Sequence, residues 1–525
     1  MQEAVANDLT CAAESGRDRS RLFWMAAIVA AACGMLPRLS QYLHYRVLFH
    51  DECVLAANIL KRSLVNLLGP YGDSMAPGGF MFLTKAAMAV GGVNEYAVRF
   101  LPFVGGVAAL WLFFPVAKRL TSPLAAVVGL ALLAVGKEVI YFGAFVRPYS
   151  TDATITLILL GLACYVDSDR PSWRRCSVFG LVGAVAVWIS YPATFLLVGI
   201  GGVLAAFAIC NRDAPRAACL MAAGIPWAAS LLVFYAVSIA PIRGDTATMK
   251  LMNDYYAGTF MPLPPRSFSD LQWFNWQFIR AFEYPGGFTL PGLAAFLATL
   301  GGVSCFLRRR KTFCLLLAPV VVALFVSGLH KYPFYGRTLL YVTPIMFMLM
   351  GEGVAYLMEM PGHARLAGGL AMIMVIGIPA NRAARIIIHP TQHHQLDRSL
   401  DHVAAHWQPG DVLYLHDPAC DALRFCMWRY SFKEGDWVAR YTAAQDVEER
   451  TVFLEQNLDM LRQRGRVWVA VTYDRPRDAE PYLAMLDTHA VRTGESASAL
   501  GSSVYLYDFR QSPPAQPPKP ERKGS

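Results

Sequence analysis

Charged residues are scarce in this 525-residue chain. Asp, Glu, Lys and Arg make up 16% of it, against about a quarter in ordinary soluble domains, while hydrophobic residues make up 55%. The hydrophobic residues gather in runs of roughly the length that crosses a bilayer as a helix. These proportions exclude an ordinary soluble domain and indicate an integral membrane protein. We therefore attribute the net charge of +9 to membrane topology and predict no nucleic-acid partner.

Three other signals are missing. Residues 1–20 lack the basic region, short apolar run and cleavage site of a secretory signal, so we predict that the first span is retained as an anchor. The 11 cysteines show no metal-type spacing, and many lie within apolar runs as small core residues. The polar tail after residue 384 contains no Gly-rich phosphate loop and no nucleophile elbow. We therefore place the chemistry outside this tail.

The hydrophobic runs predict about 11 transmembrane helices. The first extends from Leu22 to about Leu36, and the arginines before it favour a cytoplasmic N-terminus. Short basic clusters such as Lys118-Arg119 then fall in cytoplasmic loops, and the long loops 38–95 and 240–286 fall outside. The other ten spans are predicted near residues 96–117, 123–141, 151–166, 177–190, 193–210, 217–239, 287–306, 312–328, 338–358 and 366–380.

The tail changes character after about Arg385. Asp411 to Leu415, Arg466 to Tyr473 and Val504 to Asp508 are β-type runs, and Asp446 to Arg464 has the pattern of an amphipathic helix. We predict a cytoplasmic N-terminal tail (1–20), a transmembrane domain (21–384), a small extracytoplasmic α/β domain (385–510) for recognition or stability, and a disordered end (511–525). The outer compartment permits a disulfide between Cys420 and Cys426, but their spacing leaves the pairing open.

Two adjacent carboxylates, Asp51 and Glu52, lie in the first external loop. Asp51 is our candidate general base, because a carboxylate at the membrane surface can take a proton from an acceptor hydroxyl. Glu52 either orients the acceptor or a cation, or is a solvated residue at a helix start. The structural alternative for the pair is that Asp51 caps a helix that begins near Cys53.

Cationic residues recur on the same predicted side. Lys85 lies alone in an apolar helix, Gly79 to Val90, where it either snorkels to lipid headgroups or meets a lipid phosphate. Arg147 and Tyr149 precede the fourth span, where an ion pair between Arg147 and Asp152 is the structural alternative. Lys331 and Arg337 follow a late span and either clamp a leaving phosphate or anchor the interface. The aromatic loop 240–286 is either an interfacial belt or a lid.

These features resemble the GT-C superfamily of polyprenyl-phosphate-sugar-dependent glycosyltransferases. Within this superfamily, the chain resembles the bacterial branch that is similar to the protein mannosyltransferases and to the lipid A aminoarabinose and galacturonic acid transferases. Many relatives carry Pro-Pro where this chain has Pro77-Gly78. The motifs that carry the resemblance are Asp51-Glu52, Ala76-Pro77-Gly78-Gly79 with Lys85, Arg147-Pro148-Tyr149, and Gly336-Arg337 with Tyr341 and Pro344.

The resemblance implies a hexosyl- or pentosyltransferase of the bacterial inner membrane. It would move a sugar, with inversion, from a polyprenyl-phosphate donor to a hydroxyl of an envelope lipid or glycan on the outer face. Asp51 would be the catalytic residue, and Lys85, Arg147 and Arg337 would contact the donor or its phosphate. Some members need a divalent metal at the acidic motif, so Mg or Mn at Asp51 and Glu52 stays open.

A transporter or flippase of a lipid-linked sugar is the competing function. Such proteins place functional charges near the bilayer midplane, often in repeated halves. Here the charges gather at the external surface and no internal repeat is visible, which favours the enzyme. A third class is a ligase that uses diphosphate-linked donors, which a long external loop centred on Arg and His would indicate. The early Asp-Glu pair argues against this class.

Overall fold

The structure is a computed structural model, and it shows a helical protein that ends in a small sheet. It describes residues 2–69, 76–167, 172–243, 254, 256–392, 395–415, 430, 432, 435–439, 458–472 and 480–511. Cys420, Cys426, most of the predicted helix 446–464 and the end of the chain from residue 512 lie outside the described residues.

Helices account for most of the described chain up to Thr391. Each of the eleven predicted spans overlaps one or more of them. They are α1 Gln2–Leu43, α2 His50–Lys61, α3 Gly78–Gly91, α4 Glu95–Leu120, α5 Pro123–Val135, α6 Lys137–Phe142, α7 Tyr149–Val166, α8 Trp173–Ile189, α9 Ala193–Cys210, α10 Ala214–Phe234, α11 Ala240–Arg243, α12 Phe268–Glu283, α13 Pro291–Arg308, α14 Arg310–Gly328, α15 Thr343–Glu359, α16 His363–Ile388, α17 Leu396–Ala405 and α18 Glu480–Leu486.

Nine helices within the described residues are long and apolar enough to cross a membrane, which confirms a polytopic helical protein. The other two predicted spans correspond to shorter helices, α5 with 13 residues and α8 with 17. Gly136 separates α5 from α6, so the predicted span 123–141 is two helices in the structure. The first span also continues past its predicted end, because α1 contains Pro37 without stopping there.

The chain folds into two compact units. The first contains residues 1–44, 59–91 and 96–391, and therefore nearly all of the predicted transmembrane domain. Within it, the buried Arg38 donates hydrogen bonds to the carbonyls of Leu133 and Ala134 at the end of α5. These carbonyls have lost their helical partners at the break, so Arg38 satisfies them and fixes the point from which α6 begins.

The second unit combines residues 392–525 with two segments from the first external loop, 45–58 and 92–95. Its five-stranded sheet confirms the predicted C-terminal α/β fold. The central strand β3 pairs parallel with β1 and antiparallel with β5. The strands are β1 Val412–Leu415, β2 Trp437–Ala439, β3 Arg466–Thr472, β4 Val491–Ala499 and β5 Ser502–Asp508, in the order β2-β1-β3-β5-β4.

One set of polar contacts joins the amino-terminal ends of the inner strands β1 and β3. The buried Asp411 accepts a hydrogen bond from the indole of Trp468 at 2.8 Å and forms an ion pair with Arg466 at 2.9 Å. Trp468 is itself fully buried. The Asp411 carboxylate is therefore satisfied inside the small domain.

Candidate active site

The two adjacent carboxylates of the first external loop have different environments. The helix that carries them, α2, begins at His50 and not near Cys53, so both acids lie in its first turn. Asp51 is half-buried, whereas Glu52 has no exposed surface. Neighbouring positions on a helix point about 100° apart, so one of the two side chains turns inward while the other turns away.

Glu52 is held by an arginine that precedes it by six residues. The two guanidinium nitrogens of Arg46 donate to the two carboxylate oxygens at 3.0 and 3.2 Å. The backbone N–H of Phe49 donates to the same carboxylate at 3.0 Å. The Arg46 side chain is 3% exposed. This is a buried bidentate ion pair, and the predicted alternative of a solvated Glu52 does not describe it.

Lys85 lies on α3 and is half-buried. Its ammonium group donates to the carbonyls of Ile59 and Leu60 at 2.9 and 3.3 Å, and also to the carbonyl of Arg62. These carbonyls end α2, so Lys85 closes the carboxyl end of the helix that starts with Asp51. A phosphate contact would have to replace at least one of these bonds, and the predicted donor role of Lys85 stays a prediction.

The Pro77-Gly78-Gly79 motif brings α3 close to its neighbours. A Cβ on Gly79 would lie 2.7 Å from the carbonyl oxygen of Trp188 on α8, and a Cβ on Gly78 would lie 3.0 Å from that of Leu67. A second proline at position 78 would meet the Leu67 backbone. The close packing therefore gives a physical reason for glycine where many relatives have proline.

Arg337 and Tyr149 come together in the first unit. The guanidinium of Arg337 lies 5.9 Å from the centre of the Tyr149 ring, a cation–π distance. The Tyr149 ring in turn meets Phe142 edge-on, with ring centres 5.2 Å apart. Two predicted donor residues that are 188 positions apart in the chain thus form one group, because α7 begins beside the turn Gly336–Val342.

Tyr284 and Glu138 extend this group. Gly336 has φ +59°, and a Cβ there would lie 2.8 Å from the Tyr284 ring, so this turn requires glycine. Burial raises the pKa of Tyr284, as does the charge of Glu138, while Arg337 opposes the rise. Burial likewise raises the pKa of Glu138 against the opposing charge of Lys137, whose ammonium is 3.8 Å away. We refer to Lys137, Glu138, Tyr149, Tyr284 and Arg337 as the cationic cluster.

The remaining predicted cations are not equivalent to Arg337. Arg147 is 9% exposed, and its backbone N–H donates to the carbonyl of Phe145 at 2.7 Å, which shapes the turn before α7. Lys331 is exposed in the turn after α14. The structure therefore places Arg147 within the protein and Lys331 at its surface.

A second polar group lies deeper in the first unit. Asp152 and Ser190 are adjacent, and both are buried, as is Tyr341. Thr156 joins them, since its hydroxyl contacts the carbonyls of both Asp152 and Tyr341. Within the described residues, the Tyr341 hydroxyl has no hydrogen-bond partner, and Asp152 Oδ1 and Ser190 Oγ have none beyond their contact with each other. We refer to Asp152, Ser190 and Tyr341 as the buried polar group.

Asp152 also interacts electrostatically with Tyr332, in the turn after α14. The pKa of Tyr332 is raised well above its ordinary value, first because its hydroxyl is buried and second because of the nearby Asp152 carboxylate. The Tyr332 hydroxyl donates to the carbonyl of Thr338 at 2.9 Å. The described residues contain no ion pair between Asp152 and Arg147, which was the structural alternative for these residues. Unsatisfied buried polar atoms are expensive, and they mark positions where an ordered water, an ion or a ligand can supply the missing bonds.

Sequence reasoning did not name Arg46 and Tyr284, and it grouped Glu138 and Asp152 with the polar residues before the fourth span without giving either a role in the chemistry. The six-residue spacing of Arg46 and Glu52 is not one of the helical spacings that flag an ion pair. Asp152 did carry a signal, because ionisable residues inside a predicted span are rare and usually functional.

A divalent metal finds little support among the described residues. They contain no group of three or more His, Cys, Asp or Glu side chains that could hold an ion. Both oxygens of Glu52 are bonded to the Arg46 cation, so this carboxylate does not fit as a metal ligand. The mechanism below therefore has no metal-dependent step.

This chain is similar to one known protein family and to several solved structures. Residues 75–241 match the family model described as dolichyl-phosphate-mannose-protein mannosyltransferase. A search of curated protein sequences gave no match. Among solved structures, ArnT from Cupriavidus metallidurans in the apo state matches with a TM-score of 0.55 and 13% identity, over 94% of this chain and 98% of that one.

Two further structures show the same fold. ArnT from the same organism, bound to undecaprenyl phosphate, matches with a TM-score of 0.51 and 13% identity, over 93% of this chain and 98% of that one. The Archaeoglobus fulgidus oligosaccharyltransferase in complex with Zn and sulfate matches with a TM-score of 0.54 and 12% identity, over 91% of this chain and 72% of that one. The chain therefore shares the fold of ArnT and of this oligosaccharyltransferase, which confirms the fold expected from the resemblance.

Proposed function

We propose that this protein is a membrane glycosyltransferase that moves a sugar from a polyprenyl-phosphate donor to an acceptor hydroxyl. The donor would be a lipid-linked hexose or pentose, and the acceptor a lipid or glycan of the cell envelope. The reaction would take place on the outer face of the bacterial inner membrane. The observation that carries the proposal is a fold shared over 94% of the chain with ArnT, which has also been solved with undecaprenyl phosphate.

Asp51 acts as the general base in this proposal. The acceptor oxygen attacks the anomeric carbon, and the bond from that carbon to the phosphate oxygen breaks. The acceptor proton goes to the Asp51 carboxylate, and polyprenyl phosphate leaves with the bonding electrons. Attack from the face opposite the leaving group inverts the anomeric centre. Asp51 suits this role because its side chain is partly exposed, while the adjacent Glu52 is bonded to Arg46.

The cationic cluster binds the leaving phosphate in this proposal. The charge on the phosphate grows as the bond breaks, so a guanidinium fixed in advance stabilises the transition state more than the ground state. Arg337 suits this role because its guanidinium lies at a cation–π distance from the Tyr149 ring, which limits its movement. Arg147 adds a second, largely buried cation near the same helix start. Lys85 and Lys331 are assigned weaker roles, as a helix cap and a surface cation respectively.

The buried polar group contacts the sugar in this proposal. A sugar ring offers hydroxyl groups that both donate and accept hydrogen bonds. The Asp152 carboxyl accepts when ionised and can also donate when protonated, and the hydroxyls of Ser190 and Tyr341 can do either. The hydrogen-bonding capacity left by Tyr341 and by the Asp152–Ser190 contact thus matches what a sugar supplies. Binding the sugar would use that capacity.

The decisive experiment measures donor turnover. Purified protein in detergent is mixed with a panel of polyprenyl-phosphate sugars and a cell-envelope lipid extract, and released polyprenyl phosphate is quantified. We expect release with the wild type and a loss of about 100- to 10,000-fold with Asp51→Asn, the range that a general base contributes. Asp459→Asn is the matched control, because its side chain is 94% exposed in the C-terminal domain.

The outcomes separate the alternatives. Asp51→Asn protein that purifies and melts like the wild type but releases no polyprenyl phosphate supports the proposed base. Normal turnover by that variant would refute the role of Asp51. If well-folded wild type released nothing from any donor, transport of a lipid-linked sugar would replace transfer as the proposed function.

A further inference from the structure

The contacts of Glu52 belong to a wider set that fixes the start of α2. The N–H groups of Glu52 and Cys53 both donate to the carbonyl of Phe49 at 2.8 Å. The Cys53 thiol donates to the carbonyl of Leu48 at 3.2 Å and is fully buried. The main chain on both sides of Asp51 is therefore held in place.

A second buried carboxylate anchors the beginning of the same segment. The hydroxyl of Tyr45 donates to Glu95 at 3.0 Å, and Glu95 is 1% exposed. Both residues belong to the unit that contains the C-terminal domain. The segment 45–52 is thus tied at its first residue by Tyr45 and at its last by Glu52.

Glu52 is poorly suited to touch the reacting atoms. Its two oxygens receive a forked guanidinium, which is the strongest and most directional partner that a carboxylate finds in proteins. Breaking a buried pair of this kind leaves an uncompensated charge, so the pair is unlike a group that exchanges partners during each turnover. Its location directly after Asp51 gives it another task.

We infer that Glu52, held by Arg46, is a positioning residue that directs the Asp51 carboxylate toward the acceptor. This inference rests on the proposed function, in which Asp51 is the base. The Arg46–Glu52 pair fixes the first turn of α2, and the first turn fixes the direction in which Asp51 leaves the helix. Loss of the pair displaces the base without removing it.

The kinetic test uses Arg46→Gln, Arg46→Lys, Glu52→Gln and the double variant Arg46→Gln/Glu52→Gln. A displacement of the order of 1 Å costs about 100-fold in rate, so we expect kcat to fall by about that factor in the single Gln variants. The donor KM should change little, because neither residue contacts the donor. The double variant should be no slower than either single variant, because the two side chains act as one unit.

Arg46→Lys separates geometry from charge. Lysine keeps the positive charge but cannot form the forked contact, so we expect an intermediate kcat. A role limited to overall stability would lower the amount of folded enzyme and leave the kcat of the folded fraction unchanged. A wild-type kcat in Arg46→Gln, together with an inactive Glu52→Gln, would show that Glu52 acts on the substrate itself and would overturn the inference.

Cys53 gives a readout that does not depend on turnover. Its labelling by a maleimide, followed by peptide mass spectrometry, reports whether the first turn of α2 is closed. We expect slow labelling in the wild type and in Asp51→Asn, and at least tenfold faster labelling in Arg46→Gln and Glu52→Gln. Cys176, which is 2% exposed on α8, is the internal control and should stay protected in every variant.

The two arms keep the hypotheses apart. Wild-type protein that turns over no donor would refute the proposed function, whatever the labelling shows. In an active wild type, Cys53 that stays protected in both Gln variants would overturn the positioning role, and so would an unchanged kcat in those variants.

Discussion

Glu52 and Asp152 are both buried carboxylates, and their surroundings are opposite. Glu52, in the second unit, has both oxygens bonded to Arg46 and accepts a further backbone N–H. Asp152, in the first unit, has no ion-pair partner among the described residues, and its side-chain contact is with the neutral Ser190 hydroxyl. The pairing of Glu52 is complete. Asp152 and its neighbours keep hydrogen-bonding capacity that water or a ligand can use.

This difference separates structural acids from binding acids better than burial does. Both side chains are less than 5% exposed, so burial alone would rank them together. Full pairing makes a carboxylate part of the fold, because the energy of desolvation is already offset. Incomplete pairing stores an unfavourable energy that a ligand can relieve, which is a common feature of functional sites.

The largest expected effect is on stability, and its sign should differ between the two acids. Glu52→Ala leaves the buried Arg46 cation without its partner, which destabilises by about 3–5 kcal/mol. Asp152→Asn keeps the size of a buried carboxyl group that has no ion-pair partner and removes its ability to ionise, so its stability should equal or exceed that of the wild type. Thermal unfolding in one detergent, with both variants side by side, measures the contrast.

Activity should show how Asp152 differs from a purely structural acid. We expect Asp152→Asn to lose most of its transfer activity while its melting temperature is unchanged or higher. Equal destabilisation by the two variants would break the comparison, because Asp152 would then be satisfied in the folded protein. Asp401→Asn, on the exposed side of α17 in the second unit, serves as a charge-loss control.

Much of the fold could be predicted from the sequence, because the strongest signals were local. Runs of about 20 apolar residues gave helices where they were expected, and alternating β-type runs gave β1, β3 and β5. The helix break at Gly136 was missed because the residues on either side continue the apolar pattern. Pro37 stands inside α1 although the predicted span stopped before it, since a helix within a bundle tolerates proline.

The site was less predictable, because its contacts join distant parts of the chain. Lys85 was expected to meet either headgroups or a phosphate, and instead it closes α2 through carbonyls more than 20 residues earlier. Arg337 and Tyr149 were both named, but their contact depends on how α7 packs beside a late turn. No periodicity in the sequence reports a grouping of residues 45–58 with residues beyond 391.

Substitution of Arg337 should have the next largest effect, and it tests the proposed binding of the donor phosphate in the first unit. If the cationic cluster stabilises the leaving phosphate, Arg337→Gln should lower kcat by about 100-fold, as does the loss of other fixed donors to a developing charge. Arg337→Lys should recover part of that loss, because the charge remains. Tyr149→Leu should lower transfer only about fivefold, since a cation–π contact contributes about 1 kcal/mol. Donor-turnover kinetics measure all three.

Lys331→Gln is the matched control for this series. It removes a cation from an exposed turn near Arg337 in the sequence, and we expect less than a threefold change in transfer. A loss comparable to that of Arg337→Gln would show that surface charge, and not the fixed guanidinium, governs donor binding. In that case strong dependence on salt concentration should accompany the loss.

A smaller effect is expected from Lys85. Lys85→Met keeps an unbranched side chain and removes the bonds to the end of α2, which should destabilise the protein by about 1 kcal/mol, the usual size of a helix-cap contribution. We expect kcat to fall modestly and the donor KM to stay within about twofold of the wild type. A tenfold rise in the donor KM without a change in stability would instead favour the phosphate contact that the sequence suggested.

Glu138 is paired less completely than Glu52 but more completely than Asp152. Its substitution should have the smallest effect of the series. Its carboxylate is partly paired, with Lys137 at 3.8 Å, and burial is the main reason that its pKa is raised. A raised pKa means that the folded protein holds this proton more tightly than the unfolded chain does. The stability that the protonated form contributes is therefore present at low pH and is lost as the pH rises through the folded pKa.

Glu138→Gln keeps the side chain neutral at every pH and should remove this loss. We expect the variant and the wild type to melt alike near pH 4, and the variant to become progressively more stable than the wild type as the pH approaches about 7. Thermal unfolding across this range measures the difference. A gap that is constant with pH would show that the substitution acts through packing. A gap that closes as the pH rises would show that Lys137 pairs with Glu138 as completely as Arg46 pairs with Glu52, and Glu138 would then be a structural acid.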